Sequence, residues 1–183
     1  MATLDAPQEE NRLLVALASA MVDRPRATLQ ELAQAVGVSK ATLYRFCRTR
    51  EQLVERLIHH GTVVIGHAIA SAELHTSPPL EALRRLIANN LEHRELSSFL
   101  MHYWKDASTP PAAGEEWEIA LDTFFLRGQQ EGVFRIDLTA SVLTELWITI
   151  FMGLIDGERR GRIARAGMAG LVERAFLHGA AKA

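Results

Sequence analysis

One window constrains this chain more than any other: Leu29-Gln-Glu-Leu-Ala-Gln-Ala-Val-Gly-Val-Ser-Lys-Ala-Thr-Leu-Tyr-Arg-Phe46. Leu32, Val36, Val38, Leu43 and Phe46 are apolar where two short helices must bury against each other and against a helix before them. Ala33 is small where the helices would cross most closely. Gly37 stands where the turn needs a left-handed backbone, which glycine adopts without penalty. A bare helical hairpin needs the apolar stripe but not the alanine and glycine at those places. The window predicts a helix-turn-helix. Thr28, with Glu31 three residues on, predicts a capping box at the start of its first helix. Ser39 predicts the start of the second, which runs to about Cys47.

That second helix is two-sided. Leu43, Phe46 and Cys47 share a face and are expected in the core, while Ala41, Tyr44, Arg45 and Arg48 lie opposite with Lys40 and Thr42 on the flanks. Such a helix suits a DNA major groove, its N-terminal residues nearest the bases. Lys40 suits guanine O6 or N7, the Ala41 methyl a thymine methyl, and Thr42 a base edge or a phosphate. Tyr44, Arg45 and Arg50 are better placed for phosphates, which position a protein rather than read sequence. Thr28 and Ser39 carry two readings, as helix caps alone or as further DNA contacts.

Composition sharpens this only when taken locally. Lys plus Arg total 20 against 22 Asp plus Glu, a formal net charge of -2 that by itself excludes nothing. Between residues 24 and 50, however, Arg24, Arg26, Lys40, Arg45, Arg48 and Arg50 face Glu31 alone, while the later chain is slightly acidic. A basic head on a neutral or acidic body is the electrostatic footprint of a small DNA-binding module. Cys47 is the only cysteine, so no internal disulfide is possible and a Cys-rich zinc site is excluded. No basic region precedes an apolar run at the N-terminus, and Leu146 to Ile155 is too short for the ~20 apolar residues of a spanning helix. A soluble cytoplasmic protein without membrane contact is expected.

The remaining periodicity is helical throughout. Leu13, Leu14, Leu17 and Met21 give a first helix ended by Pro25. Thr49 caps a fourth that continues through Leu53, Leu57, Val64 and Ile65. Ser77-Pro78-Pro79 restarts the chain before Leu80, Leu83, Leu86, Ile87 and Leu91. Leu96 to Trp104, Glu115 to Gln130, Thr139 to about Ile155 and Ile163 to His178 complete the set, with a loop over Asp106 to Gly114. The expected fold is all-α: a helix-turn-helix DNA-binding domain over 1–52 and a helical regulatory and dimerisation domain over 53–183.

The run from Thr28 to Leu53 resembles the N-terminal domain of the TetR family of bacterial repressors. Its most discriminating part is Tyr44-Arg-Phe46 followed by Thr49-Arg50-Glu51-x-Leu53. Beyond residue 60 the resemblance is architectural, through length, helix count and the Gly132-Val-Phe-Arg-x-Asp137 step. It implies a homodimer of about nine helices per subunit that binds a palindromic operator. It also implies base contacts from Lys40, Ala41, Thr42 and Tyr44, and phosphate contacts from Thr28, Tyr44, Arg45 and Arg50. Two departures stand out. Cys47 occupies a position where the family commonly has a large aromatic, and Glu9 and Glu10 beside Arg12 do not make a basic arm.

One recognition helix reads too few base pairs for high specificity, so two copies are needed. Trp147, Ile150, Phe151 and Leu154, with Leu171, Val172, Ala175 and Phe176, form a stripe suited to a dimer interface or to packing inside one subunit. The resemblance implies a pocket for a small-molecule effector, with Phe99, His102, Tyr103, Trp117 and Phe125 as its candidate lining. An aromatic stripe at helical spacing is also the ordinary mark of a core. His59, His60 and His67 lack the spacing and partners of a metal site, and no cofactor or catalytic motif appears, so neither metal, cofactor nor enzyme activity is expected. The leading reading is a ligand-responsive transcriptional repressor. The competing one is a helical protein-interaction adaptor whose arginines meet acidic partners.

Overall fold

Local chemistry sets the helix ends. In the computed structural model, which describes residues 6–103 and 113–180, α1 (Ala6–Asp23) stops just before Pro25. The Thr28 hydroxyl caps α2 (Leu29–Val36) by accepting from the Glu31 N–H, while the Glu31 carboxylate accepts from the Thr28 N–H at 2.7 Å. This is the reciprocal capping box the sequence predicts. Gly37 ends α2 at a φ of 76°, a backbone that strains any residue with a β-carbon. Ser39 then caps α3 (Lys40–Phe46), its hydroxyl accepting from the Thr42 N–H at 3.0 Å. Extended backbone at Cys47, φ -152°, stops it there.

The chain continues through α4 (Arg50–Ala70), α5 (Pro79–Glu92), α6 (Arg94–Tyr103), α7 (Ala113–Gln130), α8 (Ala140–Arg159) and α9 (Met168–Ala180). No strand occurs among the described residues, and the fold is all-α. α9 begins later than the Ile163 start that apolar spacing predicts, because Gly167 takes a left-handed φ of 77° directly before it. Most of the expected 106–114 loop, and Trp104, lie outside the described residues; Ala113 and Gly114 open α7.

The described residues fall into two compact units, one within 1–63 and 95–110, the other within 64–94 and 111–183. In the first, α1 packs on α2 and α2 on α3. Leu17, Met21, Leu32, Leu43, Leu53, Leu57 and Phe99 are among its fully enclosed side chains. α6 joins this core through Tyr103, whose ring stacks on Phe99 at 4.7 Å and whose hydroxyl donates to the Met21 carbonyl at 3.0 Å.

In the second unit α7 packs on α8, and α9 on both α8 and α5. Its centre is a cluster of rings: Phe125 lies 5.4 Å from both Phe134 and Phe176, and Trp147 lies 6.0 Å from Phe176. Edge and tilted contacts of this kind place positive ring edges on negative faces. Charged side chains tie the loops to the helices. Arg127 donates to the Leu74 and Ser77 carbonyls, and Arg94 pairs with Glu158 at 2.9 Å with both largely shielded from water. α8 passes the length and composition of a membrane-crossing helix, which a single apolar helix in a helical protein can also do, and 33% of its most apolar stretch is buried.

Candidate nucleic-acid interface

The underside of α3 is closed. Leu43 is 0% and Cys47 5% exposed, and burial pushes the Cys47 thiol pKa up, as expected of a packed small hydrophobe. Phe46 is half-buried and roofed by Arg56, whose guanidinium lies 3.7 Å from the ring centroid. Arg56 also donates to the Phe46 carbonyl and pairs with Glu10 at 2.6 Å. One side chain thereby fastens the end of α3 to α1 and α4. In the sequence Arg56 is only a cation in the early turns of α4, because its partner Glu10 is far away along the chain.

The outer side of α3 is open. Lys40, Ala41, Tyr44, Arg45 and Arg48 are all exposed, and Tyr44 retains 40% of its surface. Among the described residues no carboxylate pairs with Lys40, Arg45 or Arg48. Lys40 Nζ stands 5.3 Å from the Tyr44 ring centroid and 3.4 Å from Gln30 Oε1 on α2. Thr42 is half-buried, its hydroxyl 2.8 Å from that of Ser39, so both belong to the cap of α3. Thr28 is likewise engaged in its capping box, which holds the Glu31 carboxyl below the usual carboxylate range through hydrogen bonds from the Thr28 backbone and hydroxyl. Arg24, Pro25, Arg26, Ala27 and Glu31 line an open depression beside that helix start.

Arg50 departs from its expected place. It is half-buried, its Nη2 donating to the Pro25 carbonyl at 2.7 Å and to the Tyr103 hydroxyl at 3.2 Å, with its guanidinium 5.6 Å from the Tyr103 ring. Two internal acceptors at Nη2 tie this guanidinium to the scaffold of the head. The Tyr103 hydroxyl is engaged within the head, donating to the Met21 carbonyl and accepting from Arg50.

The other candidate lining residues separate. Phe99 is enclosed in the first unit beside Tyr103. His102 is exposed there, with its Nδ1 2.8 Å from the Ser98 carbonyl. Trp117 is half-buried in the second unit, and Phe125 is enclosed at the centre of its ring cluster. The proposed dimer stripe divides as well. Trp147, Phe151, Val172 and Phe176 are buried inside their own unit, whereas Ile150, Leu154 and Leu171 are half-buried and Ala175 is exposed. His59 and His67 are exposed on α4 and His60 is half-buried. Among the described residues no three His, Cys, Asp or Glu converge as metal ligands.

A short helix anchored beneath, cationic and aromatic above, and set at an angle by a glycine turn defines a DNA-binding transcriptional regulator of the helix-turn-helix class. Residues 25–57 match the model of the bacterial regulatory proteins of the tetR family. The chain is 55% identical over 175 residues to the HTH-type transcriptional regulator NfxB of Pseudomonas aeruginosa, covering 93% of this chain and 94% of that protein. It belongs to the TetR family. The HTH-type transcriptional repressor LfrR of Mycolicibacterium smegmatis is 32% identical over 72 residues, 39% of this chain and 38% of its own length. The fold is also that of the LfrR structure in complex with proflavine, at a TM-score of 0.69 and 19% identity over 95% of this chain and 97% of that one. The ketosteroid transcriptional regulator KstR2 of Mycobacterium tuberculosis shares it at 0.76 and 18% identity, covering 99% and 98% of the two chains.

Proposed function

We propose that this regulator is a cytoplasmic repressor that binds a palindromic operator as a homodimer and releases it when a small molecule occupies its C-terminal part. Residues 1–52 form the DNA-reading head in this account, and 53–183 the regulatory and dimerising body. The observation that carries the reading is the outer side of α3, where Lys40, Ala41, Tyr44, Arg45 and Arg48 are exposed over a buried Leu43 and Cys47. Lys40 and Ala41 are assigned to base edges. Tyr44, Arg45 and Arg48 are assigned to phosphates, and Thr28 acts on the same backbone through the helix start that it caps. Ser39 and Thr42 serve by capping the helix that carries these groups.

The dimer is supported by α8, whose apolar stretch leaves Val142 at 41% exposure and Leu146, Ile150 and Leu154 only half covered. Apolar surface of that kind on a helix face is what a second copy would cover. Release by a ligand is supported by the likeness in fold to LfrR bound to proflavine, and repression by the name of that relative.

Selection of bound fragments from random-sequence DNA tests the reading. The expected yield is an inverted repeat whose half-sites lie about one helical turn apart. Fragments with no common sequence, bound weakly and lost together on adding salt, would favour the adaptor reading instead.

A further inference from the structure

Resting on the assignment of Lys40 to a base edge, we propose that Gln30 of α2 is a positioning residue for sequence readout, steering the Lys40 ammonium from across the turn. A lysine on a bare helix end has four rotatable bonds and no preferred direction, so it reads a base poorly until something restricts it. Here two groups do so. The Gln30 side-chain carbonyl lies 3.4 Å from Nζ, and the Tyr44 ring centroid lies 5.3 Å from it. The amide must present its oxygen, because an ammonium offers donors only. One N–H is taken by Gln30 and the others remain for acceptors on a guanine edge.

Gln30 and Lys40 meet because the Gly37 turn lays α2 beside α3. Gln30 is exposed and takes no part in the caps of α2.

The test measures full-length wild type, Gln30→Ala, Lys40→Ala and the double variant. Each is titrated against the duplex selected from random DNA and against that duplex with every half-site base pair replaced in turn. Lys40→Ala should erase discrimination at one position. Gln30→Ala should reduce discrimination at that same position by about two- to fivefold, leave the others unchanged, and add nothing in the Lys40→Ala background. Gln30→Glu, which keeps the acceptor, should retain the preference while lowering affinity for all sequences. Gln30→Met, of similar length without the acceptor, should behave as alanine does. If Lys40→Ala alters the preference and Gln30→Ala does not, or if the Gln30→Ala loss persists without Lys40, positioning by Gln30 is overturned and the base assignment stands. If Lys40→Ala changes no preference at all, both fall.

Discussion

α3 and α8 both carry apolar residues at helical spacing, and they differ in how much aliphatic side chain is left partly uncovered. On α3, Leu43 and Cys47 go in while Lys40, Ala41, Tyr44, Arg45 and Arg48 stay out. Polar and apolar types alternate with the helix period, so one orientation satisfies them all. α8 buries Leu143, Trp147, Phe151 and Ile155 and exposes Ser141, Glu145, Thr149 and Gly153, with further apolar side chains on the faces between. Trp147 and Phe151 belong to its own unit's core, while Ile150 and Leu154 on the neighbouring face remain half covered. An apolar stripe wider than one core face leaves open which neighbour covers its edge.

The sharpest way to break this contrast is to truncate what lies inside. Phe125→Ala, at a fully enclosed position with rings on several sides, should cost about 3–5 kcal/mol in denaturant unfolding. Trp147→Glu should prevent folding rather than yield soluble monomers, because it places an unpaired carboxylate in that core. A native circular dichroism spectrum with the wild-type unfolding midpoint would contradict both.

The outer face of α8 should respond differently. Ile150→Glu is expected to leave the helix content intact and to weaken the dimer by about 2 kcal/mol, roughly thirtyfold in its dissociation constant. Sedimentation at graded concentration reads this directly. An unchanged monomer–dimer balance would move the interface elsewhere.

Two arginines sharpen the contrast within the reading head. Arg50→Ala removes bonds to Pro25 and Tyr103 and should cost about 1–2 kcal/mol of stability. Arg45→Ala should leave stability alone, weaken all DNA sequences alike and flatten the salt slope by about one unit. Reversed effects, read by thermal unfolding beside DNA titration, would exchange the two roles.

The smallest effect concerns the capping box. Glu31 titrates lower in the fold than in the unfolded chain because Thr28 donates to it. Its contribution is therefore complete above the ordinary carboxyl range and drains away as pH falls through the depressed folded value. The stability gap between wild type and Glu31→Gln should close on acidification. A gap that does not change with pH would dissociate Glu31 from the cap.

Much of the head was legible in the sequence because its determinants are local. The Thr28–Glu31 box, the Gly37 turn and the Ser39 cap each act within three or four residues. What escaped depends on partners distant in sequence. Arg50 reads as a surface cation until Tyr103 is folded beside it, and Arg56 has no visible task until Glu10 and Phe46 arrive. The aromatic body was least legible. Phe125 and Trp117 both lie on α7, and only packing distinguishes an enclosed ring from a half-buried one.

The central claim is that the exposed side of α3 reads sequence. It is tested most directly by titrating the purified protein with its selected duplex and with a scrambled duplex of equal length over rising salt. Affinity for both should fall with salt, with the selected duplex still bound well after the scrambled one is released. Two curves that coincide at every salt concentration would mean that the face attracts phosphates and reads nothing.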